Sequence, residues 1–252
     1  MSTVLEVLQR LGEAVLLFGR AVAAIRLRAR DRQRIAAQLA RVGSDTLPIA
    51  ALLALFIGMV LVVQSADQLR DISQSVLGPI VGLAMTKEIG PVMMGFLLAG
   101  RVGSAMAAEL GAMAVYDELA ALRTMDIDPV RFLVMPRLVA ATVTMPVLVL
   151  YADFVGIAGG ALVVAIDPAI DLAVSEYFAR LLEWVHLGDI LVGLLKGTVF
   201  GMVASIVPCA FGLATRGGAE GIASSTTAAV VWSFVLILLF DLVIVRMTFG
   251  LT

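Results

Sequence analysis

A lysine and a glutamate stand side by side at Lys87 and Glu88, inside an apolar run rich in glycine and alanine that also carries Arg101. Placing an ionisable side chain in hydrocarbon costs about 2.5–3.5 kcal/mol on insertion scales. Such groups persist where they line a cavity, pair with one another or face a partner. The chemistry open to this pair is therefore electrostatic: fixing a charged group at one depth in apolar surroundings. Neighbouring residues on a helix point about 100° apart, so the two are not a side-by-side pair. Each is expected to meet a partner from another helix or from a second copy of the chain. The plainer alternative is an interfacial pair that snorkels to the outer head groups. Gly90-Pro91 directly afterwards predicts a break in the helix, and broken helices often flank substrate sites.

A second charged group lies at Asp117-Glu118-Leu119-Ala120-Ala121-Leu122-Arg123. The spacing predicts a short amphipathic helix with Leu119, Leu122 and Met125 near one face. Asp128 before Pro129 is placed to cap the next helix. A short amphipathic helix between two spans suits the docking of a cytosolic partner; the plainer reading is a helix on the membrane surface. Lys196 and Asp241 lie in later apolar stretches, where other helices are expected to satisfy them.

Much chemistry is excluded. The single Cys209 rules out an intrachain disulfide and a cysteine-based zinc cluster, and the single His186 rules out a histidine-rich metal site. No metal or cofactor is expected. No G-x-x-x-x-G-K-[ST] loop is present, so ATP hydrolysis by a P-loop is not expected of this chain. Energised work then needs an ion gradient or another subunit.

The elements that must position these residues are membrane helices. Of 252 residues, 61% are hydrophobic, against about 45–50% in soluble domains, and the mean hydropathy is +1.03. Residues 1–44 are amphipathic, with arginines at 10, 20, 26, 28, 30, 32, 34 and 41. They read as an interfacial helix facing anionic head groups; a helix packed on the rest of the protein is the alternative. Acidic Glu6 and Glu13 and the early arginines argue against a cleavable signal peptide. Five apolar stretches follow, near 47–64, 76–108, 138–166, 190–214 and 223–249. With the N-terminus inside, the inner segments hold thirteen arginines. The outer ones hold three: Arg70, Arg180 and Arg246. That asymmetry predicts an inner N-terminus and an outer C-terminus. Gly95, Gly100, Gly103, Ala107 and Gly111 form a small-residue series suited either to internal helix packing or to a dimer interface.

The runs T-K-E-I-G-P, A-G-R-V-G-S-A-M-A-A-E-L-G-A-M and D-E-L-A-A-L-R-T-M-D-I-D-P-V-R-F-L-V-M-P-R resemble the MlaE/YrbE-type permeases of MCE-associated ABC transport systems. Supporting runs lie at 47–61, 151–160 and 217–231, so the resemblance covers about 45–252 well. It implies an all-α membrane protein, five transmembrane helices after the interfacial segment 1–44, with 45–252 as the permease domain. It implies a multi-pass subunit of a bacterial inner membrane, assembled as a homodimer. The partners implied are a cytosolic ABC ATPase, a periplasmic MCE-domain protein and a small STAS-domain protein, with phospholipid as substrate and no nucleic acid. Carried over by motif, Lys87 and Glu88 match the charged pair at the lipid cavity, with Leu61, Leu69 and Ile72 near it. Asp117, Glu118, Leu119, Leu122 and Arg123 match the helix that couples to the ATPase. The chain departs from the family in lacking the acid before the second Ala-Leu of that helix. It also carries Ser224-Ser225 where relatives carry an arginine.

An ion-coupled secondary transporter using Lys87, Glu88, Lys196 and Asp241 is the competing reading, and a membrane scaffold without transport is a third. Co-purification of an ATPase and an MCE protein separates them.

Overall fold

The computed structural model describes residues 2–25, 29–69 and 74–248, and every regular element among them is helical. Five of its helical stretches are long and apolar enough to cross a membrane: Asp31–Leu69, Gln74–Val115, Val130–Ile166, Leu187–Leu213 and Gly218–Thr248. They coincide with the five apolar stretches of the sequence and extend most of them, because polar residues at the ends continue the helices.

The N-terminal segment differs from the expected single helix. It forms α1 (Ser2–Ala23) and α2 (Ala29–Gly43). The first helix closes with the Ala24 N–H on the Arg20 carbonyl and the Ile25 N–H on that of Val22. Ala14, Leu17 and Ala21 are buried at helical spacing, while Val15, Leu16 and Val22 point outward. A tight turn then joins α2 to α3 (Leu47–Leu69). The buried Thr46 holds it by donating to the Val42 carbonyl at 2.6 Å and accepting from Arg101 at 2.8 Å.

The second span is assembled from α4 (Leu77–Ala84), α5 (Gly90–Leu98) and α6 (Ser104–Val115). The expected break at Gly90-Pro91 is absent. A π turn at Met85–Ile89 takes its place, with the Gly90 N–H reaching back to the Met85 carbonyl. Proline lacks the N–H that the next helical turn needs, and a widened turn ahead of it lets the helix continue. A second π turn, Ala99–Gly103, carries Arg101, and a third, Val130–Val134, carries Arg131. The connection that follows α6 is α7 (Glu118–Thr124). It leads to α8 (Met135–Ile166), then α9 (Val174–Trp184), α10 (Leu187–Leu213) and α11 (Gly218–Thr248).

The main core lies between α5, α6, α8 and α10, around Met94, Leu98, Leu110, Met145, Phe200 and Phe211. A smaller core around Leu77, Val81, Met85, Tyr177 and Leu181 ties α4 and α9 to the far ends of α3 and α8. Close backbone approach makes the α3–α8 contact: a side chain at Gly58 would collide with the Gly156 carbonyl. The small-residue series is internal packing. A methyl at Gly95 would meet Phe200 at 3.3 Å, and one at Gly111 would meet Thr215 at 3.1 Å. On α10, Gly212 faces the Ala107 backbone in the same way.

Candidate functional site

Four elements border a groove of about 570 Å³. Leu53 and Ile57 come from α3; Leu238 and Asp241 come from α11; Glu88 and Ile89 come from the first π turn, followed by Val92, Met93, Phe96 and Leu97 of α5. The lining is apolar except for two carboxylates. Phe96 also packs on Phe234 of α11 with ring centroids 4.6 Å apart, which holds α5 against α11 below the groove.

The two carboxylates share one cation. Lys196 Nζ lies 2.7 Å from Glu88 Oε2 and 2.8 Å from Asp241 Oδ1. Its side chain is 1% exposed, while that of Glu88 is 46% exposed and that of Asp241 is 17%. Lysine is the residue that puts a compact charge on a four-carbon stem. Here the stem crosses the apolar interior from α10 and delivers the ammonium behind the groove. Two carboxylates around one ammonium leave one excess negative charge at this end, facing an otherwise apolar channel.

Lys87 turns to the start of the same helix, α10. Its Nζ lies 2.7 Å from Asp189 Oδ1 in the first turn of α10. The other oxygen of that carboxylate accepts the His186 N–H at 2.9 Å and caps the helix start. Asp189 thus fixes Lys87 and the start of α10 together. The adjacent pair of the sequence separates as the helical geometry requires, each member pairing with α10 at a different turn. Glu88 lines the groove; Lys87 does not. Leu61 and Leu69 are half-buried against the smaller core and lie off the groove lining. Ile72 lies outside the described residues. The apolar walls from Leu53, Ile57, Phe96 and Leu238 were not singled out in the sequence, since each is one hydrophobe among dozens.

The opposite end of the spans is rich in guanidinium. Glu109 accepts from both Arg41 and Arg137, the latter at 2.7 Å. Arg131 pairs with Asp31 at 2.8 Å, and Arg34 stacks over Phe132 at 3.9 Å. These partners belong to the protein: Arg34 of α2 binds the turn before α8 and Arg41 binds α6, rather than only a head-group layer.

The helix α7 is preceded by Asp117 with φ 59° and followed by Asp126 with φ 57°. Both lie in the left-handed region, which aspartate tolerates better than most residues. Leu119 is 7% exposed and packs inward. It anchors a seven-residue helix that otherwise has little to hold it, so Leu119 is not free for a partner, contrary to the face expected from spacing. Leu122 is half-buried. The outward surface includes Tyr116, Asp117, Glu118, Arg123 and Met125. Asp128 caps as expected, accepting the Val130 N–H at 3.1 Å.

The family description Permease MlaE matches residues 35–247. A probable ABC transporter permease of Rickettsia typhi is 38% identical over 213 residues, covering 84% of this chain and 82% of the relative. One of Synechocystis is 38% identical over 234 residues, covering 91% and 87%. The intermembrane phospholipid transport system permease protein MlaE of Haemophilus influenzae is 34% identical over 215 residues, covering 84% and 82%.

Proposed function

The chain belongs to the MlaE permease family, and from that premise we propose that it is the membrane subunit of an ABC transporter carrying phospholipid through the groove beside Glu88. The carrying observation is the groove itself: apolar walls from α3, α5 and α11 ending in a charged set. A lipid needs an apolar channel for its tails and polar groups for its head. Placing Glu88 on a π turn gives that segment a backbone that deviates from the regular helix where the substrate would sit. Lys87 and Asp189 tie the same turn to the start of α10, so a shift of α10 would move both partners of the π turn together.

ATP hydrolysis belongs to a separate cytosolic ABC ATPase, docked on the outward surface of α7 at Tyr116, Glu118 and Met125. An MCE-domain protein on the outer side receives or delivers the lipid, a second copy of the permease completes the channel, and a small STAS-domain protein accompanies the ATPase. The arginine asymmetry supports an inner N-terminus and an outer C-terminus in a bacterial inner membrane.

The test fills the groove without touching its charges. Ile57→Trp with Met93→Trp should leave the complex assembled but lower its co-purified phospholipid and its lipid transfer at least several-fold. Unchanged lipid content and transfer in the filled variant would rule the groove out as the path.

A further inference from the structure

A second cavity, unconnected with the groove reading, lies at the opposite end of the spans. It has a volume of about 650 Å³ and is walled by α1, the loop after α7 and the end of α10. Four arginines line it: Arg10, Arg20, Arg123 and Arg216. Glu13 and Asp128 are its two acids, so the lining carries an excess of two positive charges.

The local contacts leave most of that charge available. Arg10 is held with its guanidinium 5.3 Å from the centre of the Phe211 ring, a stacked arrangement that fixes the group without neutralising it. Arg20 approaches Asp128 only loosely, at 3.8 Å, and both are exposed. The Asp128 carboxylate is already engaged by the Val130 N–H. Among the described residues, Arg123 and Arg216 have no carboxylate within salt-bridge distance.

The depth of the cavity identifies what would fill it. The span Leu187–Leu213 ends at the cavity wall, and the span Val130–Ile166 begins there. The four arginines therefore gather where two of the membrane-length helices meet their ends, the side of the bundle on which lipid phosphates would be met. Leu16 lines the cavity and is 71% exposed, and Val15 beside it is equally exposed. An apolar strip next to a guanidinium cluster fits a molecule with a phosphate and hydrocarbon tails. A water-soluble acidic surface would gain nothing from that strip. We infer that this cavity binds the head group of an anionic phospholipid from the leaflet on the N-terminal side, with its tails along the outward face of α1. The bound lipid joins α1, the segment that follows α7 and the end of α10 through one phosphate. It is a fixed lipid, distinct from any cargo in the groove.

The experiment uses the full complex carrying Ile57→Trp and Met93→Trp, so that groove lipid does not contribute. It is equilibrated in mixed micelles of dioleoylphosphatidylcholine and dioleoylphosphatidylglycerol, and bound lipids are counted by native mass spectrometry. Phosphatidylglycerol should be retained over phosphatidylcholine. Adding Arg10→Gln and Arg216→Gln should weaken its retention on the order of tenfold or more, since each arginine near an anionic head group is worth about fivefold. Arg10→Lys with Arg216→Lys keeps the charge and should stay within a few-fold of the parent, which separates loss of binding from loss of fold. Equal retention of the two lipids, or retention unchanged by the glutamine pair, would overturn the inference. So would loss of the ATPase from the glutamine variant with lipid retention intact, which would assign the cavity to the partner. Displacement of phosphatidylglycerol by millimolar inorganic phosphate alone would make it a free-anion site and equally refute a lipid one.

Discussion

The two ends of the helical bundle solve opposite electrostatic problems. Beside the groove, two carboxylates from different helices converge on one buried ammonium, and the surplus is negative. At the other end guanidinium is in excess: Arg41 and Arg137 share Glu109, and four more arginines line one cavity. In the first set both carboxylates rely on one buried ammonium, so its charges depend on one another. Most of the second is exposed, so its members act more independently. Removing a charge should therefore cost far more in the first region than in the second.

The largest effect is expected at Lys196. Lys196→Met leaves Glu88 and Asp241 facing each other in apolar surroundings, and breaking a buried pair costs about 3–5 kcal/mol. The variant should insert poorly and unfold at a markedly lower temperature in detergent. Adding Glu88→Gln and Asp241→Asn should recover most of the stability without recovering transport. Failure of the triple variant to regain stability would break the claim that the three charges form one closed set.

Next in size is Leu119. Its burial predicts that Leu119→Asp destabilises the α7 segment itself, by roughly 2–5 kcal/mol for a lost core side chain. Tyr116→Asp with Met125→Asp should instead leave the permease stable and reduce recovery of the ATPase. If Leu119→Asp spared stability while removing the ATPase, Leu119 would be a docking residue after all.

A smaller change is expected at Glu109. Glu109→Gln deprives the buried Arg137 of its carboxylate, at a cost of about 1–3 kcal/mol for an unsatisfied buried group. Arg41→Gln, on the exposed side of the same carboxylate, should cost no more than about 1 kcal/mol. Thermal midpoints of the two variants compare the inside and outside of one cluster. Equal losses would show that burial does not set the difference.

The sequence made much of this visible. Five spans could be read from apolar runs because hydrocarbon imposes a length and a composition on every crossing helix. Lys87, Glu88, Lys196 and Asp241 stood out because charge is rare in such runs. Their partnership did not, since Glu88 and Lys196 are 108 residues apart and nothing local encodes which turns of two helices will face each other. Gly90-Pro91 suggested a break because proline removes a hydrogen bond. The π turn that absorbs it depends on α8 and α10 packing around the segment. Spacing put Leu119 and Leu122 on one apolar face, yet a face alone does not say whether it turns toward its own chain or a partner. The arginines of residues 1–44 suggested head groups; Arg41 instead finds Glu109, 68 residues away, and Arg34 and Arg10 find Phe132 and Phe211.

The central claim is that the groove between α3, α5 and α11 holds phospholipid with its head near Glu88 and Lys196. A photo-reactive benzoylphenylalanine placed at Ile57 in the assembled complex, illuminated in membranes, tests it directly. The account predicts a phospholipid adduct at that position, abolished when Met93→Trp fills the groove and undiminished by Arg10→Gln with Arg216→Gln. Labelling at position 57 that is absent, or that persists when the groove is filled, would contradict it.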